Sequence, residues 1–421
     1  MLFTTFCSVI SAFAQRTIHR HVSRTCKAAM PRSLIFTLLL SAGISAHATD
    51  FNFPLNPPPA CSRNNVNYAC SALTLNAGDT LTVAPGLVVN VTVNGDFTAN
   101  AGVKINESRA GSLNISVNGI TTTGVNSVVN ANISSSGKDS TINIGDKNII
   151  VGNLTTEDAA INVGDQTSIQ GSLSTTLRGV ITVGRYSSVS GDLTTVTGAI
   201  NVGAYSSTGS LISTSAGAIT TGDFSVVNGK ILTGAGAVTT GADSKVSGGI
   251  TTSVGAITTG ARSFVGGRVN DLDTSTAGAV TVGDSGIVSG AIVTGAGAVT
   301  LGTGAQAAGI ATQDGAITVG ASSYTKGSLC TGNSGAITVG ANSKVDGNVI
   351  TKTAGAITIQ AKSVVLGIAV VKQAGALSVA DSASVGTTES GIGCANDAVT
   401  QPPTAPVIKS RAWRQLFMRR S

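Results

Sequence analysis

Between residues 143 and 390 the chain repeats a short alternation of apolar and polar positions. GAINVGAYSSTGSLISTSA from Gly198, GAITTGDFSVVNGKILTGA from Gly217 and GAVTTGADSKVSGGITTSV from Gly236 align without gaps. Each copy opens with Gly-Ala and then alternates apolar and polar residues, as a half-buried strand does. Self-similarity at a fixed period predicts a stack of equivalent units rather than a set of unrelated elements.

The central polar residue of the first strand marks the period. It recurs at a nearly constant interval of about 20 residues along the repeat region. The positions are Asn143, Asn162, Thr182, Asn201, Thr220, Thr239, Thr258, Thr281, Thr300, Thr318, Thr338, Thr358 and Ser378. Each unit contains two further predicted strands, one with Ser-x-Val as at residues 244–246 and one with Gly-x-Ile-x-Thr as at residues 229–233.

This period predicts an all-β fold, a single-stranded parallel β-helix (solenoid) with about 20 residues per coil. Ile219 and Thr221 should face inward and Thr220 outward, so that stacked coils bury a narrow apolar core. Glycine should occupy the corners. We expect a right-handed helix, although the pattern does not fix the handedness. Twelve steps at strand spacing give a rod of roughly 58 Å.

Composition divides the chain into segments with different predicted roles. The segments are a leader with a signal peptide at 1–48, an irregular disulfide-containing segment at 49–72, irregular first coils and a cap at 73–142, regular coils at 143–390, a C-terminal cap and linker at 391–409, and a basic aromatic tail at 410–421. The tail carries Trp413, the only tryptophan. It is either a frayed terminus or a tag for docking or envelope association.

The leader has the pattern of a secretory signal. From Met30 it shows a basic residue, Arg32, then an apolar run at 34–40 and the small-x-small triplet Ala46-His47-Ala48. We predict a start at Met30 and cleavage after Ala48, with a longer leader from Met1 as the alternative. The apolar run is shorter than the ~20 residues of a membrane-spanning helix. The mature chain is therefore predicted to be exported to the periplasm, the outer surface or the medium, without a transmembrane helix.

Charge and histidine content narrow the possible functions. The net charge of +6 falls to +1 without residues 1–48, and five of the remaining basic residues lie in the last thirteen positions. A basic patch on the folded body, as nucleic-acid binding needs, is not predicted. All three histidines lie in the leader, which excludes catalysis or metal binding through histidine in the mature chain. We predict no catalytic residue, no cofactor and no metal, and therefore a protein that is not an enzyme.

Four cysteines remain in the mature chain. Cys61 and Cys70 are close in sequence, and in an oxidising compartment we expect them to form a disulfide. Cys330 and Cys394 are about three repeats apart, so they pair only if the C-terminal segment folds back. Both outcomes are compatible with the sequence.

One insertion carries oxygen ligands. Asn270-Asp271-Leu272-Asp273 lies between two repeats and offers three oxygen side chains. It is either a solvated loop or part of a calcium site, which takes six or more such ligands. The acidic residues that follow the first strand elsewhere, such as Asp146 and Asp165, form no constellation in the sequence.

A column of threonines is the predicted contact face. Its members should point outward and stack at strand spacing: Thr220, Thr239, Thr258, Thr281, Thr300, Thr318, Thr338 and Thr358. Alanines two positions earlier, such as Ala218, should face the same way. Lys245, Lys344 and Lys362 are placed on the second strand instead. The column is either a solvated strand face or a flat lateral contact surface, since proteins normally interrupt such faces with Lys or bulges.

Two stretches resemble known families. The repeats, as at residues 335–354, resemble bactofilins, which are polymer-forming bacterial β-helices. The opening Phe51-Asn52-Phe53-Pro54, the cysteines at 61 and 70, and residues 73–80 are similar to the N-terminal part of exported proteins linked to mannose-sensitive haemagglutinin pilus biogenesis. The first resemblance implies a structural, self-associating β-helix, and neither implies a catalytic residue.

Together these features predict an exported, non-enzymatic structural or adhesive rod that self-assembles or meets a partner at the cell envelope or surface. Two alternatives remain open. One is an ice- or surface-binding protein that uses the Thr/Ala face. The other is a carbohydrate-active β-helix enzyme, which would need carboxylates gathered on one face.

Overall fold

The computed structural model describes residues 48–137, 139–271 and 278–394. These residues form an all-β solenoid of parallel strands that stack at the predicted period. The described chain contains no helix, which confirms the predicted fold class. The handedness stays a prediction. The predicted leader up to His47, and the linker and tail beyond Cys394, lie outside the described residues.

Each coil contributes one strand to each of three columns. Column 1 is a separate sheet of sixteen strands. Its strands are Leu73–Leu75, Phe97–Ala99, Thr121–Thr123, Ile142–Ile144, Ile161–Val163, Ile181–Val183, Ile200–Val202, Ile219–Thr221, Val238–Thr240, Ile257–Thr259, Val280–Val282, Val299–Leu301, Ile317–Val319, Ile337–Val339, Ile357–Ile359 and Leu377–Val379. At strand spacing its fifteen steps measure about 72 Å.

Columns 2 and 3 join into one sheet because two long strands, Ile287–Thr294 and Gln306–Thr312, run through both. The other strands of column 2 are Asp50–Phe53, Thr80–Val83, Lys104–Ile105, Val128–Val129, Ile149–Val151, Ser168–Gln170, Ser188–Val189, Ser207–Thr208, Val226–Val227, Lys245–Val246, Phe264–Val265, Tyr324–Thr325, Lys344–Val345, Val364–Val365 and Ser384–Val385. The other strands of column 3 are Asn67–Cys70, Val88–Val93, Ser112–Val117, Asn132–Ser135, Leu154–Thr156, Leu173–Thr175, Leu193–Thr195, Ile212–Ala216, Ile231–Ala235, Ile250–Val254, Val269–Asp271, Leu329–Thr331, Val349–Thr351 and Ala369–Val371.

The main core is one continuous stack of mostly aliphatic side chains. Ile219 is buried and pairs with Val238 of the next coil, while Thr221 is buried beside it and Thr220 is exposed. The predicted inward and outward positions are therefore confirmed. One coil cannot bury its apolar side alone, so the stability of each coil depends on its neighbours.

In several coils the serine at the position of the Ser-x-Val motif links consecutive coils at a corner. The backbone N–H of Ser187 donates to Oγ of Ser206, 3.1 Å away, and that hydroxyl donates to the Gly184 carbonyl at 2.8 Å. Both serines are buried. The hydroxyl satisfies backbone groups that no strand pairs at this corner.

The Gly-Ala corner accepts a hydrogen bond from the threonine of the third strand. Thr233 is buried, and its hydroxyl donates to the Gly217 carbonyl at 3.0 Å. A Cβ on Gly236 would lie 2.1 Å from that same carbonyl oxygen. Glycine is therefore required here by close approach of two coils.

The N-terminal segment 49–72 is not irregular, so that part of the prediction is wrong. Asp50–Phe53 pairs in parallel with Thr80–Val83, and Asn67–Cys70 pairs in parallel with Val88–Val93. Cys61–Asn64 folds against Asn67–Cys70 as an antiparallel hairpin. The prolines lie in the connection after Phe53, where the chain needs no ladder hydrogen bond, and leave the strands themselves intact.

The first coils, predicted as irregular, keep the three-column plan. The first strands of column 1 begin at Leu73, Phe97, Thr121 and Ile142, which are wider steps than those of the later coils, except for the step from Ile257 to Val280 that holds the insertion. The extra residues of the first coils lie in the strands of column 3, such as Val88–Val93, and in the corners. These coils are longer than most later ones but equally ordered in register.

The C-terminal segment folds back along column 3, as the pairing of the second cysteine pair requires. Asn348 donates through Nδ2 to the Ser390 carbonyl at 3.0 Å, and the Ser328 hydroxyl donates to the Ile392 carbonyl at 2.6 Å. A disulfide joins Cys330 and Cys394. This strap lies on the side of the solenoid.

Candidate contact surface

The eight predicted threonines form one exposed row on column 1, which we call the Thr strip. It consists of Thr220, Thr239, Thr258, Thr281, Thr300, Thr318, Thr338 and Thr358. Each member is the central residue of its strand and pairs in register with the next. The first six are exposed and the last two half-buried. Within the described residues, none of their hydroxyls makes a hydrogen bond to protein.

The Thr strip is bordered by the predicted alanines. These lie two positions earlier, are exposed or half-buried, and comprise Ala218, Ala237, Ala256, Ala279, Ala298, Ala316, Ala336 and Ala356. From Asn201 to Ser378, no central residue of column 1 carries a charge. The result is a strip of methyl and hydroxyl groups that can pack against another flat surface without burying a charge.

The acidic residues at the next corner serve the backbone. Oδ1 of Asp146 accepts a hydrogen bond from the backbone N–H of Asp165 at 2.8 Å, and Oδ1 of Asp165 accepts one from Arg185 at 2.7 Å. Asp223 and Asp284 accept in the same way from the following coil. Each carboxylate therefore bridges two coils, and this explains why aspartate recurs here without forming a catalytic pair.

Charged side chains lie on column 2, beside the Thr strip. Lys344 forms an ion pair with Asp346 at 2.8 Å, and the Tyr324 hydroxyl donates to the same carboxylate. Partial burial opposes ionisation of Asp346, but the hydrogen bonds from Lys344 and Tyr324 outweigh it and hold its pKa below the ordinary value. Lys245 and Lys344 occupy column 2 strands as predicted.

Lys362 does not lie on the second strand, so its predicted place is wrong. It precedes the strand Val364–Val365, in the turn between columns 1 and 2, with φ of 59°. The same left-handed turn position holds Asn342 one coil earlier, with φ of 58°. Counting three positions from the last residue of the first strand, Ile359 here and Val339 one coil earlier, would have identified this turn.

Sequence reasoning missed a stack of aromatic rings at that turn position. Tyr186, Tyr205 and Phe224 recur once per coil, and their ring centroids lie 4.9 and 4.8 Å apart with nearly parallel planes. All three are exposed and have positive φ. Their recurrence at the period of the repeat was the signal. The ring faces cover one another, so the stack presents mainly ring edges to solvent.

One cleft of about 230 Å³ opens beside the longer N-terminal coils. Asn106 donates to the Gly111 carbonyl at 2.8 Å, and Asn130 donates to the Asn106 carbonyl at 2.9 Å. Arg109 is the only charged residue of the lining, which has no carboxylate. A glycosidase site would need two carboxylates facing each other.

The remaining predicted sites are placed as follows. Cys61 and Cys70 are bonded across the N-terminal hairpin. Asn270 and Asp271 belong to the strand Val269–Asp271, and residues 272 and 273 lie outside the described residues. Among residues that the structure describes, no three His, Cys, Asp or Glu side chains gather to hold a metal ion, and no helix has the length and apolar character to cross a membrane.

Comparison of the chain with protein family models, with curated proteins and with solved structures finds no match. The resemblances to bactofilins and to pilus-linked exported proteins therefore stay predictions.

Proposed function

We propose that this chain is an exported, non-enzymatic structural rod that makes lateral contacts through the Thr strip. The observation that carries the proposal is that the Thr strip is uncharged, continues in register over eight coils, and has hydroxyls that make no hydrogen bond to the described protein. Corner aspartates such as Asp146 and Asp223, in contrast, accept hydrogen bonds from the backbone of the following coil. The hydroxyls of the Thr strip are therefore available to a partner.

Export is supported by two independent features. Residues 30–48 have the order of a signal peptide, and both cysteine pairs of the described chain are bonded. Disulfides persist in oxidising compartments such as the periplasm and the cell surface. A location at the cell envelope or surface follows as part of the proposal.

The partner that best fits the Thr strip is a second copy of the rod. Contiguous exposed patches that are rich in methyl groups and free of charge mark contact surfaces in soluble proteins. The bactofilin-like repeat favours the same interpretation, since members of that family form polymers. Side-by-side association would bury methyl groups and pair hydroxyls of two strips.

The test places lysines in the strip. Thr281→Lys with Thr338→Lys should keep the fold and abolish lateral association, because two unpaired charges would enter the contact. The matched control is Val226→Lys with Val364→Lys, on column 2, where Lys245 and Lys344 occupy the adjacent coils. Sedimentation across a concentration series compares parent, strip variant and control. If the strip variant associates like the parent, the Thr strip is only a solvated strand face.

A second function is favoured by the regularity of the same surface. The hydroxyls repeat in register at strand spacing, ~4.8 Å. Such an array could match the surface of ice or another ordered solid. Thermal hysteresis in the parent, lost in the strip variant, would establish ice binding, and its absence in the parent would eliminate it.

A further inference from the structure

The C-terminal end of the solenoid leaves strand residues uncovered by any described part of the chain. Leu377–Val379 is the last strand of column 1 and pairs on one side only, with Ile357–Ile359. Leu377 is 46% exposed and Val379 is 39% exposed, whereas the equivalent positions one coil earlier are buried. The inward side chains of this last coil meet solvent, and the outer edge of the strand has no described partner.

The chain leaves the described solenoid close to that end. Cys394 is bonded to Cys330, and the register from Cys330 through Ile350 to Val370 places the bridge two coils from the last strand of column 3. Two coils correspond to ~10 Å. The segment 395–409 then precedes the tail, and its extended span is roughly 50 Å. Residues 410–418 are therefore within reach of the open end.

The tail carries large apolar side chains that could cover the exposed residues of the open end. Residues 410–418 read SRAWRQLFM and bring Trp413, Leu416 and Phe417 within a few positions. Burying a large aromatic side chain against the exposed aliphatic side chains of the last coil would remove apolar surface of both partners from water.

The charges of the last coil and of the tail are also complementary. Asp381 and Glu389 are exposed acids at the last coil, and no described basic residue forms an ion pair with either. The tail brings Arg411 and Arg414. Opposite charges at the rim of an apolar contact favour one orientation of the segment.

We propose that residues 410–418 return to their own solenoid and cover the open C-terminal end. The tail then acts as the terminal cap of the stack, and it prevents the edge of column 1 from pairing with another chain. This inference concerns the end of the rod and is independent of the Thr strip on its side.

The single tryptophan makes the contact directly measurable in the full chain. Acrylamide quenching of Trp413 should be weak in the parent and increase several-fold in Leu377→Asp with Val379→Asp, which disrupts the exposed end. The control, Val88→Asp with Ile149→Asp, places the same charges at exposed aliphatic positions of distant coils and should leave quenching unchanged. Circular dichroism confirms that both variants keep their strands.

A second variant keeps the test decisive if the aspartates unfold the last coil. A chain that stops after Lys409 should show faster amide exchange in Leu377–Val379 and parental exchange in Leu73–Leu75. Quenching of Trp413 in the parent as strong as in the isolated tail peptide would overturn the proposal. Protection that disappears on dilution, together with a doubled mass, would also overturn it, because a second copy would then cover the end.

Discussion

The two ends of the solenoid differ in how their terminal strands and core side chains are covered. At the N-terminal end, Phe53 and Tyr68 are almost fully buried with ring centroids 4.3 Å apart, and they close the first coil from above. A hairpin turns the edge of column 3 into an antiparallel pair. At the C-terminal end, Leu377 and Val379 remain exposed, and the strap that ends at Cys394 lies along the side.

The difference shows what a stack of identical coils cannot provide for itself. A repeat with small side chains buries its core only against another repeat. The first coil departs from the repeat and supplies large rings, whereas the last described coil still follows it. A cap therefore has to come from non-repeat sequence, which at the N-terminal end is Asp50–Phe53 and its hairpin.

The largest expected effect comes from removing the N-terminal ring. Phe53→Ala should destabilise the first coils by about 3–5 kcal/mol, because it opens a cavity under Tyr68. In a chain that stops after Lys409, Leu377→Ala at the opposite end should cost under about 1 kcal/mol, since its side chain is then half exposed. Hydrogen exchange of Leu73–Leu75 and Leu377–Val379 measures each end separately. Equal effects at the two ends would remove the asymmetry described above.

The two disulfides should contribute to stability in the opposite order, with the C-terminal bridge contributing more than the N-terminal one. Closing the 64-residue loop between Cys330 and Cys394 restricts the unfolded chain by about 4 kcal/mol, against about 3 kcal/mol for the nine-residue loop between Cys61 and Cys70. Replacing both cysteines of one bridge by serine, and then both cysteines of the other, and comparing the free energies of unfolding in denaturant gives the contribution of each bridge. A larger loss for the N-terminal pair would mean that strain or packing, rather than loop closure, governs these bridges.

The coils between the ends should respond locally. The Thr240 hydroxyl is buried without a hydrogen-bond partner, so Thr240→Val should stabilise the middle coils by about 1 kcal/mol. Thr233→Val is the matched control, because its hydroxyl bonds the Gly217 carbonyl, and it should destabilise by about the same amount. Both ends should exchange as in the parent. A change at either end would show coupling beyond neighbouring coils.

The smallest expected effect is a dependence on pH near the C-terminal end. The pKa of Asp346 is lower in the folded chain, so its contribution is present above the unfolded value of about 3.9 and is lost as the pH falls through the folded value. Protection factors at Lys344–Val345, which correct for the intrinsic pH dependence of amide exchange, should therefore fall in acid by a small factor. Asp346→Asn should remove that dependence, and a parental pH profile in this variant would assign it to another group.

The regular coil could be predicted from the sequence, whereas the features that depart from the repeat or link two coils could not. One repeat of about 20 residues determines column order, the inward Ile219 and the outward Thr220, because stacking allows only one register for that alternation. The strand Asp50–Phe53 was missed because its partner, Thr80–Val83, lies far along the chain beyond a proline-rich connection. The structural role of Asp146 was also missed, since a carboxylate that bridges two coils has no pattern within one repeat.

Electron microscopy of the purified full chain tests the central claim most directly. If the ends are closed and contacts are lateral, particles should be rods one solenoid long, about 72 Å by strand spacing, single or side by side. Association should disappear in Thr281→Lys with Thr338→Lys. Filaments many times longer than one solenoid, grown end to end and unchanged in that variant, would contradict the account.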